Sequence, residues 1–408
     1  MSRSARTAFV VAAGLVMCVG GARPADAQTA TAGQLLISEY RDRGPNGAND
    51  EFIEIYNNIG ANHTVVAASG TGYGIAASDG TTRCSIPNGT VIPAGGHYLC
   101  VNSVGYSLGS YPAGAGTTAT GDATYTTDIP DNAGIAIFNN NTGGGSYVVA
   151  NRLDAVGTTS EANTLYKEGS GLPALSPDGI DYAWTRDTCG KGGTVNLLGP
   201  CTITTPKDTN SNAADFYFVD TNGTSAGGGQ RLGAPGPENL SSPVLRNATI
   251  PATLLDSCFA SSAPPNRVRD FTSDPANNST FGTLDIRRTF TNNTGGSVTR
   301  LRFRVIDLDT FPAASGFADL RPRTSTSLVE LVDRPPCGSG TSIVTVQGTT
   351  LEQPPSQPNG GGFNSSMGAG TVTLGTPLAN GTTIDIRFLL GIQQTGNFRI
   401  YFNIEALP

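Results

Sequence analysis

The chain is poor in the residues from which active sites are commonly built. It holds two histidines, His63 and His97, and a single tryptophan, Trp184, in 408 residues. Neither histidine lies in an H-E-x-x-H or C-x-x-C-H context, and no G-x-S-x-G elbow, P-loop or dinucleotide-binding glycine pattern occurs. Charged residues make up only 14%. No stretch beyond the N-terminus repeats its apolar residues at helical spacing, which argues against helical bundles and coiled coils. What the chain has instead is 53 glycines with abundant Thr, Asn and Ser, a composition that suits turn-rich, all-β structure.

The first residues predict export. Arg3 and Arg6 precede an apolar run over 8–21 that is short for a membrane span, and Ala25-Asp26-Ala27 offers a signal-peptidase site that leaves Gln28 as the new N-terminus. Residues 1–27 are therefore expected to be a signal peptide. The mature chain, with no membrane span, is expected to be secreted, periplasmic or at the cell surface. Cys18 would serve as a lipid anchor only if a small residue preceded it, and Met17 is not small. Cys84, Cys100, Cys189, Cys201, Cys258 and Cys337 remain, an even number in an oxidising compartment. Fifteen pairings are open to six cysteines; proximity and domain boundaries favour Cys84–Cys100, Cys189–Cys201 and Cys258–Cys337. His97 lies close to Cys100, but no C-x-x-C pair completes a zinc site.

Two strands organise the first half. Leu35-Leu36-Ile37-Ser38-Glu39-Tyr40 and Asp50-Glu51-Phe52-Ile53-Glu54-Ile55-Tyr56-Asn57-Asn58 flank a polar loop with Gly44, Pro45 and Gly47. On the second, Ile53 and Ile55 share one face while Phe52 and Tyr56 take the other, so both faces need cover. Four later segments are Val91-Ile92-Pro93-Ala94-Gly95-Gly96-His97-Tyr98-Leu99, Asp131-Asn132-Ala133-Gly134-Ile135-Ala136-Ile137-Phe138, Asp208-Thr209-Asn210-Ser211-Asn212-Ala213-Ala214-Asp215-Phe216 and Leu232-Gly233-Ala234-Pro235-Gly236-Pro237-Glu238-Asn239. Together, in this order over about 33–239, these motifs resemble the lamin tail domain of exported bacterial proteins. The resemblance implies an immunoglobulin-like β-sandwich. It also implies a surface position for His97, and explains Glu39 and Glu54 as features of the module without catalysis. The Gly/Thr-rich insert at 107–127 departs from the family pattern and reads as a long surface excursion.

Further along, residues 135–138 and 147–155 read as a hairpin, 161–169 as a short helix, and Trp184 as a core residue. Gly233 to Pro237 and Ser241-Ser242-Pro243 read as a linker. Beyond it, 240–408 alternates in the manner of a second β-sandwich, with strands expected at 283–287, 299–306, 327–332, 343–346, 383–390 and 398–404. Residues 353–362 read as an exposed, proline-rich loop.

After Gln28 the first unit carries 9 Lys or Arg against 19 Asp or Glu, and the second 13 Arg against 12 acids. An acidic first unit argues against nucleic-acid binding. Arg300, Arg302 and Arg304 share one strand face, expected to be solvated and paired with neighbours such as Asp285 or Asp385. Asp208, Asn210, Asn212 and Asp215 place oxygen ligands at positions 1, 3, 5 and 8, like the start of a calcium loop, but without its sixth-position Gly or twelfth-position Glu; no other cofactor is indicated. The expected function is a non-enzymatic structural or binding protein whose two sandwiches present loops to an extracellular protein or glycan. The alternative is an accessory polysaccharide- or protein-binding module acting with separate exported hydrolases, with Tyr106, Tyr111 and Tyr125 as its aromatic platform.

Overall fold

The computed structural model describes residues 28–114, 116–176, 179–186, 206–220, 235–244, 249–309, 319–352, 366–369, 376–396 and 399–407. The expected signal peptide at 1–27, Cys189, Cys201 and the proline-rich 353–362 lie outside these residues. The chain folds as β structure around two separate apolar cores. Among the described residues no helix is long and apolar enough to cross a membrane.

The first unit contains β1 (Leu35–Arg41), β2 (Phe52–Asn57), β3 (His63–Thr64), β4 (Gly72–Ala77), β5 (Thr82–Pro87), β6 (Val91–Ile92), β7 (His97–Asn102), β8 (Pro112–Gly114), β9 (Thr117–Thr118), β10 (Ala123–Tyr125), β11 (Ile135–Phe138), β12 (Arg152–Val156), β13 (Tyr182–Arg186), a one-turn helix α1 (Asn212–Asp215) and β14 (Phe216–Asp220). One sheet has the order β10-β7-β2-β1-β13-β14 and the other β12-β11-β4-β5. Between them lie Ile37, Ile53, Ile55, Ile75, Ile137 and Trp184, with Trp184 edge-on to Phe218. Cys84 of β5 and Cys100 of β7 are bonded with Cα atoms 6.3 Å apart. The bridge joins the two sheets, not neighbouring strands of one sheet. Closing this short loop contributes on the order of 3 kcal/mol through the unfolded chain.

Two expectations are corrected. The 107–127 insert is not a bare surface excursion. Its Leu108, Tyr111, Ala113 and Ala119 are buried against Phe52, Leu99 and Val101 on the outer face of the larger sheet. The second cover that β2 requires thus comes from the chain's own insert. The expected helix at 161–169 is only a 3-10 turn at Thr164–Tyr166, and the one α-helical turn among the described residues lies at Asn212–Asp215.

Residues 235–243 do not form a free linker. Pro235 to Asn239 are buried, the Asn239 amide donates to the Thr118 and Thr120 carbonyls, and Ser241 Oγ lies 2.8 Å from Thr117 Oγ1. This segment straps the insert and the outer sheet face before the chain leaves for the second unit.

That unit contains β15 (Ala252–Leu254), β16 (Arg267–Asp270), β17 (Thr283–Thr291), β18 (Arg300–Asp309), β19 (Asp319–Arg323), β20 (Leu328–Val332), β21 (Ser342–Gln347), β22 (Thr349–Glu352), β23 (Ser366–Ala369), β24 (Thr383–Gln394) and β25 (Arg399–Leu407). One sheet runs β15-β17-β24-β21-β20, with β16 on β17 and β19 on β24, and the other β22-β23-β18-β25. Alternation buries Ile286, Phe290, Phe388 and Leu390 against Leu301 and Phe303 of the facing sheet. Cys258 and Cys337 are bonded within this unit, with Cα atoms 5.5 Å apart.

Candidate functional site

The densest set of titratable side chains near the strap sits on the outer face of the larger sheet. A β-bulge at Ser38 shifts the β1–β2 register, so that Glu39 stands directly opposite Glu54. On the other side of β2, Tyr56 faces His97 and Glu54 faces Leu99 of β7. The two-residue period sends Ile53, Ile55, Tyr98 and Cys100 inward and leaves Glu39, Glu54 and His97 outward. Glu238 of the strap closes over them.

His97 Nε2 lies 3.4 Å from Glu54 Oε1 and 3.4 Å from Glu238 Oε2. Ser38 Oγ donates to Glu54 Oε1 at 2.5 Å, the Glu238 N–H to Glu54 Oε2 at 2.6 Å, and the Gly236 N–H to Glu39 Oε1 at 2.8 Å. The relative exposures are 5% for Glu39, 3% for Glu54, and 4% for His97 and Glu238. Burial, and then the charges of Glu39 and Glu238, push the Glu54 carboxyl well above its ordinary range. Directly opposed like charges in a desolvated space destabilise a sheet. His97, expected at the surface, is instead part of this buried cluster.

A second cluster lies where β1 meets β12. Asp154 Oδ2 accepts from the Ile37 N–H and from Arg186, both at 2.6 Å. Arg186 also lies 3.7 Å from Asp208 and from Asp215, and Arg152 pairs with Glu168 at 3.3 Å. Burial, with Asp154 nearby, pushes the Glu168 carboxyl up to about 8. Two guanidinium groups lie within this cluster, so it is an ion-pair network of the kind that fixes strands in place.

The calcium-like set does not gather into one ligand shell. Asn212 turns inward, where its Oδ1 accepts from the Gly157 and Glu168 N–H groups and its Nδ2 donates to Ala155. Asp215 accepts from the Thr209 and Ser211 N–H groups and the Thr209 hydroxyl. Asp208 belongs to the Arg186 network, and Asn210 is exposed at a left-handed turn with φ 56°. The fold spends these oxygens on holding α1 to β12, as Asx-type turns do.

The tyrosine platform is also corrected. Tyr111 and Tyr125 are buried, and the Tyr111 hydroxyl donates to Asp181 at 2.7 Å. Tyr106 is half-buried, its hydroxyl donating to the Ala119 carbonyl. Nor is the arginine row a solvated face: Arg302 is fully buried on Glu405. Asp285 and Asp385 pair instead with Arg287, Arg387 and Arg334. His63, buried, places its Nε2 3.1 Å from the Tyr73 hydroxyl.

One buried acid gives a pH prediction. Glu51, just before β2, accepts from the Ile129 N–H at 2.6 Å and from Asn102 at 2.8 Å, and burial pushes its carboxyl up to about 8. A carboxyl raised on folding contributes stability that is complete below its unfolded pKa of about 4.3 and is lost as pH rises through about 8. Between pH 5 and 8 the wild type should lose on the order of 2–4 kcal/mol from this group. Urea titrations over that range should show a shallower decline for Glu51→Gln, whatever its absolute stability. Equal slopes would rule Glu51 out as the source.

Comparison with family models, with curated proteins and with solved structures finds no match to the chain.

Proposed function

We propose that the mature chain is an exported, non-enzymatic binding protein of the bacterial cell surface or its surroundings. Its first sandwich, on this reading, is of the lamin tail, immunoglobulin-like type, and its second unit presents the contact surface. The observation that carries the reading is the outer face of the β20–β21 hairpin. Val329, Leu331 and Ile343 are 66%, 60% and 73% exposed. Leu331 stands directly opposite Ile343, and β20 is the edge of its sheet. The opposite face of the hairpin packs Val332 and Val346. A half-buried antiparallel strand ordinarily turns polar residues to water, so an apolar stripe on that side marks a contact surface. It favours a protein ligand over a glycan, for which the buried Tyr111 and Tyr125 supply no platform.

The test is an array of extracellular proteins and glycans probed with the mature chain and with a Leu331→Lys/Ile343→Lys variant. Protein ligands whose signal disappears in the variant are expected. Binding that survives both substitutions, or turnover of a substrate in hydrolase screens with divalent metals, would overturn the reading.

A further inference from the structure

The Glu54–His97–Glu238 cluster has a spacing that fits ligands shared around one ion as well as it fits loose ion pairs. An N–H···O hydrogen bond is about 2.7–3.2 Å long, yet His97 Nε2 stands 3.4 Å from two separate carboxylate oxygens. Two donors bound to a tetrahedral zinc ion at 2.0–2.1 Å lie roughly 3.3–3.4 Å apart. The third ligand pair is close as well, since all three atoms lie within 4.8 Å of one another. The donor set is one imidazole nitrogen and two carboxylate oxygens, which suits a borderline divalent ion better than calcium, which takes oxygen alone. Each ligand comes from a different element: β2, β7 and the strap. Ser38 Oγ and the Glu238 N–H hold the Glu54 carboxylate from behind, as outer-shell groups do around bound metals. Glu39, opposite Glu54, adds a further carboxylate beside the set. A divalent cation at this point would offset the opposed charges that the Ser38 bulge brings together.

We propose that Glu54, His97 and Glu238 form a binding site for one divalent transition ion of the zinc class, which clasps the strap at 235–239 to the outer face of the first sandwich. The site is buried, so the ion would be structural and enter as the chain folds, its fourth position left to Glu39 or a water. The comparable cluster of Asp154, Glu168 and Asp208 contains Arg186 and Arg152 and serves as the internal control.

The mature protein is purified, stripped with a chelator, dialysed against zinc and measured for metal content. Retention of one zinc per chain is expected, with a melting temperature that rises with zinc concentration and does not rise with calcium. Cobalt in place of zinc should give the visible absorption of a tetrahedral N/O site, a readout on the unaltered chain that does not depend on any variant folding. Proteolysis within 236–242 should slow about tenfold on zinc addition, because an ion that binds only the closed strap lowers the open population. His97→Gln and Glu238→Gln should each abolish retention, while Glu168→Gln keeps it. No retained metal, a calcium effect equal to that of zinc, or retention that survives His97→Gln and is lost in Glu168→Gln would each overturn the assignment.

Discussion

Arg186→Ala should cost about 3–5 kcal/mol of unfolding free energy, the usual scale for removing one partner from a buried charge network. Arg186 ends β13 and is fully buried. Its Nε donates to the Ile37 carbonyl at 2.8 Å, one terminal nitrogen to the Lys207 carbonyl at 3.0 Å and the other to Asp154 at 2.6 Å. The guanidinium also lies over the Phe216 ring, 4.5 Å from its centroid. Truncation leaves Asp154 and Asp215 in a desolvated space and takes a donor from the buried Ile37 carbonyl and the partly buried Lys207 carbonyl. Burial already pushes the Asp154 carboxyl up against the opposing pull of Arg186, so losing Arg186 would push it up further. Urea unfolding with a second variant separates charge from packing. Arg186→Met combined with Asp154→Leu should recover a large part of the loss, because a well-packed apolar pair often matches a buried ion pair. A loss below about 1 kcal/mol in the single variant, the scale of an exposed ion pair, would mean the network is solvated.

The strand pair at 35–58 and the six strands expected in the second unit are the parts of this fold that were legible in the sequence. Each is long enough for a two-residue period to show: Leu301 and Phe303 alternate with Arg300 and Arg302, and Ile53 and Ile55 with Phe52, Glu54 and Tyr56. What was not legible is where short or aperiodic segments go. The 107–127 insert is Gly/Thr-rich and has no period, so nothing in it announces that Leu108, Tyr111 and Ala119 will find the outward faces of Phe52 and Leu99. The two faces of β2 did state the demand for cover, but not its supplier.

The site was half legible. Glu39 and Glu54 could be paired from the strands that carry them. His97 falls in phase with the outward residues of β7, since Tyr98 and Cys100 face the core, and that phase was the available signal. It was outweighed by the lamin-tail resemblance, which implied a surface position for His97. Glu238 gave no signal, because a Gly/Pro-rich stretch reads as a linker by composition, and only the N–H groups of Gly236 and Glu238, aimed at Glu39 and Glu54, make it a strap. The same limit applies to Asn212. Its spacing from Asp208 matched a calcium loop, while its amide satisfies three backbone groups that lie far away in sequence.

Arg302→Ala should uncouple the two units and cost about 3–5 kcal/mol. Arg302 lies on β18, in the face that looks away from the second core, and is fully buried. It is held by Glu405 of β25, with nitrogen–oxygen distances of 2.6 and 2.5 Å. Arg302 and Glu405 stand directly opposite each other in the β18–β25 ladder. The guanidinium then reaches out of its own sandwich to donate to the Ala113 carbonyl of β8 at 2.8 Å, with the Gly114 carbonyl 3.5 Å away. β8 belongs to the insert that covers the first sandwich, and Ser241 of the strap contacts the neighbouring β9 through Thr117. One buried arginine therefore joins the second sandwich to the insert, beside the point where the chain crosses over. Its loss takes the Arg302 guanidinium from the Glu405 carboxylate, also fully buried, and removes a donor from the insert's backbone. Calorimetry should turn a single coupled transition into two separate ones, with the second unit melting first. Arg302→Lys should fall near the alanine variant, because an ammonium lacks the planar fork needed to serve Glu405 and Ala113 together. Arg302→Met with Glu405→Leu should restore the second unit's own stability without restoring the coupling. An unchanged single transition in Arg302→Ala would show that Arg302 does not couple the units.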